Sequence, residues 1–398
     1  MLSSLIDIAI FLSSFILVLS FLVFFHELGH YSVGRFFGIA VDRFSIGFGR
    51  PIAKWKAKSG TEWMIARIPL GGYVKFAGDA SGASNPDAEA LAAMKAKAER
   101  EGGPGIENIF HFRPVWQRAL VVLAGPMANF LLAAIIFAGI GFTYGSYDRA
   151  SLVGSVQEGS AAEQAGIQAG DKILTMDGQD VSTFSKLSRY VTLRSETDIE
   201  AEIQRGREVI QINLAPKRVE ERDFVGGKSS SGKIGVFINS NEADLIHLEY
   251  GLFESLGFGV SKVGETLSMT GTYVGRIFQG KEDGRQLGSV VKIATITGKS
   301  AVDAAKADKP FGQRMEDLLL RMVQLAAAIS IGLGVANLMP IPVLDGGHLV
   351  YYAYEAVAGR PLSQKKQEYG FRIGFAVLLT LFVILTINDI GYVSSFFS

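Results

Sequence analysis

The chain has 398 residues, 39 acidic and 39 basic, for a formal net charge of +0, so its overall charge gives no bias toward nucleic acid or another polyanion. Hydrophobic residues make up 48% and charged residues only 20%, a balance that points to burial in a membrane. It has no cysteine, which excludes disulfides, thiolate ligands and a cysteine nucleophile, and leaves His, Asp and Glu to hold any metal.

An uncharged stretch at 8–25 approaches the ~20 apolar residues that a helix needs to cross a bilayer and predicts a first transmembrane helix over 5–30. No Lys or Arg precedes it, and HELGHYSVGR follows it instead of a small-residue cleavage site, so it reads as a retained helix and not a signal peptide. In a helix His26 and His30 share one face, with Glu27 beside them. Two imidazoles can hold one metal while the carboxylate takes a proton from water, which suits amide hydrolysis without a covalent intermediate. An acidic residue deep in a span costs ~2.5 kcal/mol or more, so this placement favours chemistry over accident.

Residues 31–115 follow as a β-loop and linker. KWKAK and EWMIARI flank a turn at Ser59-Gly60-Thr61, and PLGGYVKF comes next; together they read as a β-hairpin. From Gly78 to Asn108 the composition is that of a solvated linker, with a helical piece near Ala88 to Arg100. A second span is expected at 116–142. After it come LVGSV and AGIQAGDKILTMDG, then TFSKLSRYVTL as a helix and IEAEIQRGREVIQINL as a hairpin turning at Arg205-Gly206. The run AGIQAGDKILTMDG resembles the signature of PDZ domains, and one such unit fits 150–217. Residues 218–317 form an amphipathic region, because its apolar part, 245–280, is interrupted by Glu249, Glu254, Lys262, Glu265 and Arg276.

A third span is expected at 318–340 and a fourth at 371–389, with a loop at 341–370 between them. Arg35, Arg43, Arg50, Lys54, Lys56, Lys58, Arg67 and Lys75 lie between the first two spans, so that side is cytoplasmic and the N-terminus outside. Spans one and three then run in the same direction, and HELGH meets NLMPIPVLDGGH at one depth. Catalytic zinc usually has three protein ligands. Asp345 is the candidate third ligand, at a point where Pro340 and Pro342 break the helix, and His348 is its rival. Asn337 either donates to the scissile carbonyl or is a helix-end residue.

HELGH, Gly125-Pro-Met-Ala-Asn129, the PDZ-like unit and the NxxPxPxLDG run from Asn337 to Gly346 together resemble the site-2 protease family, M50-type zinc intramembrane proteases. The likeness is closest to the bacterial regulator of sigma-E protease (RseP-type) branch, here with a single PDZ unit. FSIGFG at Phe44 to Gly49, PLGGYVK at Pro69 to Lys75 and RPVWQRA at Arg113 to Ala119 extend it over nearly the whole chain. The resemblance implies one Zn2+ per chain held by His26, His30 and Asp345, with Glu27 as the base. It also implies substrate positioning by Asn337 and by Gly71, Gly72 and Tyr73 of the β-loop.

The expected fold is a polytopic α-helical membrane protein with four transmembrane helices, a cytoplasmic-side β-hairpin or re-entrant loop and an extracytoplasmic α/β PDZ domain. The expected location is the bacterial inner membrane, with the PDZ unit periplasmic and the active site near the cytoplasm. Single-span membrane proteins, such as anti-sigma factors and signal-peptide remnants, are the expected substrates, shortened first by a site-1-type protease. The alternative is a non-proteolytic membrane PDZ adaptor with a structural metal site, for which an intact Glu27 has no use.

Overall fold

The computed structural model describes residues 2–79, 91–93, 95–96, 106–222, 228–238, 245–281 and 290–397. The helical piece expected near Ala88 to Arg100 lies outside the described residues except at 91–93 and 95–96, which are helical. The chain divides into two compact units, 1–136 with 289–387 and 137–288 with 388–398.

The first unit opens with α1 (Leu2–Phe36), which continues past HELGH because nothing in HYSVGRF breaks a helix. The chain then turns into β1 (Val41–Lys56) and β2 (Glu62–Phe76). The two strands are not a plain hairpin. Residues 51–56 pair with 62–66, and Arg43 to Ile46 pair with both 62–65 and 72–75. The chain therefore folds back into a narrow four-segment sheet with 72–76 as an outer edge. Gly71, at φ +130, makes the sharp step into that edge; a side chain there would be strained and would meet the Phe48 ring at 2.6 Å. Phe44, Val74 and Phe76 turn inward and pack with Ile39, Phe110 and Val121. The Asp79 carboxylate closes the sheet by accepting from the Phe76 N–H at 2.9 Å and from His111 at 2.6 Å.

The second helix, α2 (Val115–Tyr144), carries Pro126 in its interior, which membrane helices tolerate when neighbours satisfy the freed backbone groups. It crosses α1 closely at Gly29. A Cβ on Gly29 would stand 2.3 Å from the Ala124 carbonyl oxygen, so small residues let the two backbones approach.

The second unit is rich in β-structure. In chain order it contains β3 (Ser146–Arg149), β4 (Val153–Val156), α3 (Ala161–Gln164), β5 (Lys172–Met176), β6 (Gln179–Asp180) and α4 (Phe184–Thr192). They are followed by β7 (Ile199–Arg205), β8 (Glu208–Leu214), β9 (Lys217–Arg222), β10 (Lys228–Lys233), β11 (Val236–Ile238), β12 (Leu245–Leu248) and α5 (Leu252–Phe278). A sheet of order β6-β5-β7-β8 is its centre, and β11 pairs with β4. Alternating residues Ile199, Ala201 and Ile203 point into a core with Ile173, Met176, Leu187 and Ile234, as a half-buried strand requires.

The chain re-enters the first unit with α6 (Val290–Lys306), α7 (Phe311–Asn337), α8 (Asp345–Ala358) and α9 (Gln364–Phe397), the last as far as residue 387. Among the described residues, four helices are long and apolar enough to cross a membrane: Ile6–Phe36, Val115–Tyr144, Phe311–Asn337 and Lys365–Ile387. The third begins before the expected residue 318 and stops before 340, since Pro340 and Pro342 cannot continue it.

Candidate metal centre

Three side chains far apart in the sequence meet in the first unit. The Nε2 atoms of His26 and His30 lie 3.2 Å apart, and Asp345 Oδ2 lies 3.3 Å from the first and 3.5 Å from the second. A tetrahedral ion with bonds of ~2.0–2.1 Å holds its ligands about 3.3–3.4 Å apart, so this triangle fits zinc. Asp345 Oδ2 is buried and has no hydrogen-bond partner among the described residues. A buried carboxylate oxygen left open toward two imidazole nitrogens is a donor set in want of a cation. His348, one turn beyond Asp345 on α8, is not among the three.

Local sequence explains how each ligand arrives. His26 and His30 are four apart on α1 and both are buried, at 8% and 9% exposure. Asp345 occupies the first turn of α8, where the helix N-terminus favours a carboxylate. The loop from Leu338 to Pro342 lies over that first turn, and a Cβ on Gly346 would stand 2.3 Å from the Leu338 carbonyl oxygen. The two glycines after Asp345 are thus a packing requirement. Arg118 of α2 steadies α8 from its far end, donating to Glu355 at 2.6 Å and lying over the Tyr352 ring at 5.0 Å.

Glu27 is buried beside the triangle, at 8% exposure, with the Val74 backbone N–H of the outer sheet segment turned toward its carboxylate. A Cβ on Gly72 would stand 3.0 Å from Glu27 Cγ and 2.7 Å from the Ser45 carbonyl oxygen, so the strand reaches the carboxylate only because residue 72 has no side chain. Tyr73 stacks on Phe48, with centroids 6.1 Å apart. Asn337 is the last residue of α7, and its amide donates to the Leu333 carbonyl at 3.1 Å.

The structure adds three residues of α2 that sequence reasoning did not assign to the site. The Val121 carbonyl accepts from His30 Nδ1 at 2.9 Å. Gly125 leaves the space the imidazoles fill, since a Cβ there would stand 2.2 Å from His30 Nε2. Asn129, fully buried, has its amide nitrogen 3.2 Å from His26 Nδ1. The sequence signals for Asn129 were its place in the Gly125-Pro-Met-Ala-Asn129 run, which pointed to helix packing round the cleft, and a polar side chain in an apolar span.

Comparison with known proteins agrees with this chemistry. Residues 14–381 match the model of peptidase family M50. A protein of Agrobacterium fabrum that carries a zinc-metalloprotease name is 41% identical over 95% of this chain and 94% of its own length. Metalloprotease MmpA of Caulobacter vibrioides is 38% identical over 96% of both chains. A Rhizobium meliloti protein with a zinc-metalloprotease name is 39% identical over 95% of this chain and 96% of its own.

Proposed function

The chain belongs to peptidase family M50 and is a zinc metalloprotease with four candidate membrane spans, and from that premise we propose that it cuts single-span membrane proteins within or beside their transmembrane segments. The observation that carries this reading is Glu27, buried beside the His26–His30–Asp345 triangle in a membrane-length helix, with the edge of a sheet against it.

His26, His30 and Asp345 would hold the ion. Bound there, zinc supplies a Lewis acid that acidifies water and polarises a peptide carbonyl. Glu27 takes the proton of the attacking water and returns it to the leaving nitrogen as the C–N bond breaks, so water is divided between the new carboxyl and the new amine. Asn337 offers an amide to the substrate once it leaves the Leu333 carbonyl.

A membrane helix hides its carbonyls in its own hydrogen bonds and must unwind locally before any of them can be attacked. Gly71, Gly72 and Tyr73 lead into an outer strand segment that can hold the unwound stretch by adding it as a further strand. The RseP-type arrangement follows: spans one and three run inward, the metal site lies toward the cytoplasm of a bacterial inner membrane, and 148–317 lie outside. The β-rich unit acts as a PDZ that screens substrates already shortened by a site-1-type protease. A groove of about 510 Å³ between α4 and the β10–β11 segment, lined by Ser160, Phe184, Leu187, Val191, Gly235 and Phe237, supports that role. Anti-sigma factors and signal-peptide remnants are the substrate classes of this reading.

Cleavage of a tagged single-span substrate in detergent tests it. Glu27→Gln should retain zinc and lose about 10²–10⁴-fold in rate; equal cutting by variant and wild type would sink the mechanism. Single cysteines at Ser59 and Ser188 should label from opposite sides of sealed vesicles, and labelling from the same side would overturn the topology.

A further inference from the structure

Val121, Gly125 and Asn129 stand on successive turns of α2, four residues apart, and form one stripe against the histidines. Each does something different for them. The Val121 carbonyl can only accept, so His30 bonded to it carries its proton on Nδ1 and keeps the Nε2 lone pair for a ligand bond. His26 has no such fixed partner. Its Nε2 is the atom aimed at Asp345 and His30, so to ligate it must also be protonated on Nδ1, and that proton needs an acceptor in a buried site.

Asn129 is the residue at that place. As the side chain stands, its amide nitrogen faces His26 Nδ1 at 3.2 Å, and its Oδ1 is buried with no hydrogen-bond partner. An amide N–H donating to Nδ1 puts the ring proton on Nε2, the form that cannot bind a metal. A half-turn of the carboxamide brings Oδ1 to Nδ1, accepts its proton, gives the orphaned oxygen a partner and frees Nε2. The backbone is held still meanwhile, because Ser330 of α7 donates to the Asn129 carbonyl at 2.8 Å.

Resting on the zinc reading above, we propose that Asn129 is a positioning residue for the metal site: its carboxamide oxygen fixes His26 in the Nδ1–H form, and its turning over switches that histidine between ligand and non-ligand. Readiness for metal is then set at His26 alone, since His30 is locked by a main-chain carbonyl.

The test is zinc affinity by chelator competition on the full-length protein in detergent, with no substrate present. Asn129→Leu, which keeps the volume and removes the acceptor, should weaken zinc binding about 10–100-fold. Asn129→Asp, which can only accept, should bind zinc at least as tightly as wild type, and Ser330→Ala, which spares the side-chain contact, should stay near wild type. Wild-type affinity in Asn129→Leu, or equal losses in the Leu and Asp variants, overturns the proposal. Should the Leu variant not fold, the Asp variant and nitrogen NMR of labelled histidine in wild type decide it. A His26 ring proton on Nε2 without zinc and on Nδ1 with it supports the switch, and the same Nδ1–H form in both states ends it. Loss of cleavage in Glu27→Gln is a separate readout, so failure of the hydrolytic reading and failure of this one are distinguishable.

Discussion

Two aspartates with buried carboxylate oxygens, one in each unit, show how differently the same side chain can be used. Asp171, in the β-rich unit, is 1% exposed and has a full set of partners. Arg205 grips it with Nε to Oδ1 and Nη2 to Oδ2, both at 2.8 Å, and the Gln168 N–H donates to Oδ2 at 2.8 Å. Asp345, in the helical unit, has an Oδ2 with no hydrogen-bond partner and two imidazoles in front of it. A satisfied buried carboxylate ties a fold together; one left open costs free energy unless a cation completes it. The apolar residues differ in the same sense. The β-rich unit keeps Ile173, Met176 and Ile203 at its centre, whereas the helical unit shows Leu17, Ile135 and Ile373 on its outside and buries His26, Glu27 and Asn129. That inverted pattern is what a lipid solvent asks for.

The contrast breaks most sharply at the open carboxylate. Asp345→Asn should lose zinc and cut the cleavage rate by more than about 100-fold, since outer-shell partners alone account for 10–100-fold; elemental analysis and the substrate assay check both. Retained zinc and activity would make Asp345 as structural as Asp171. Next in size is Gly72→Ala, which forces the outer strand off Glu27 and should slow cleavage on the order of 10²-fold with zinc content unchanged.

At the satisfied carboxylate the expected effect is on stability only. Arg205→Ala should destabilise the β-rich unit by leaving the buried Asp171 carboxylate without its charged partner, visible as faster hydrogen exchange over 172–214 in the intact chain, and should leave zinc affinity alone. The smallest effect is on pH dependence. Arg205 holds the Asp171 carboxyl below its usual range, so the stabilisation is present above the ordinary value of ~3.9 and is lost as pH falls through the lower folded value. Exchange in 172–214 should therefore quicken on acidification more in wild type than in Arg205→Ala; equal slopes would remove Asp171 from the account.

Much of the helical unit was legible because its signals are local. Apolar length marks a span, and Pro340 with Pro342 marks a helix end. The PLGGYVK run read as part of a hairpin, yet not as the outer segment of a sheet folded back on itself, because pairing of Arg43 with both Glu62 and Lys75 leaves no period in the sequence. Asn129 was readable as an oddity in an apolar helix and not as a partner of His26, since a contact over 103 positions has no spacing to recognise.

The sequence by itself determined the membrane class, the face on which His26, Glu27 and His30 stand, and the two candidates, Asp345 and His348, for a third metal ligand. Helix period and hydrophobic length decide these within a few turns of chain. Only the tertiary structure decided that Asp345 closes the triangle, that Gly72 brings a strand edge to Glu27, and that α2 locks one histidine and leaves the other to an amide. Those depend on how closely separate backbones approach, which is set by packing among residues with no fixed separation along the chain.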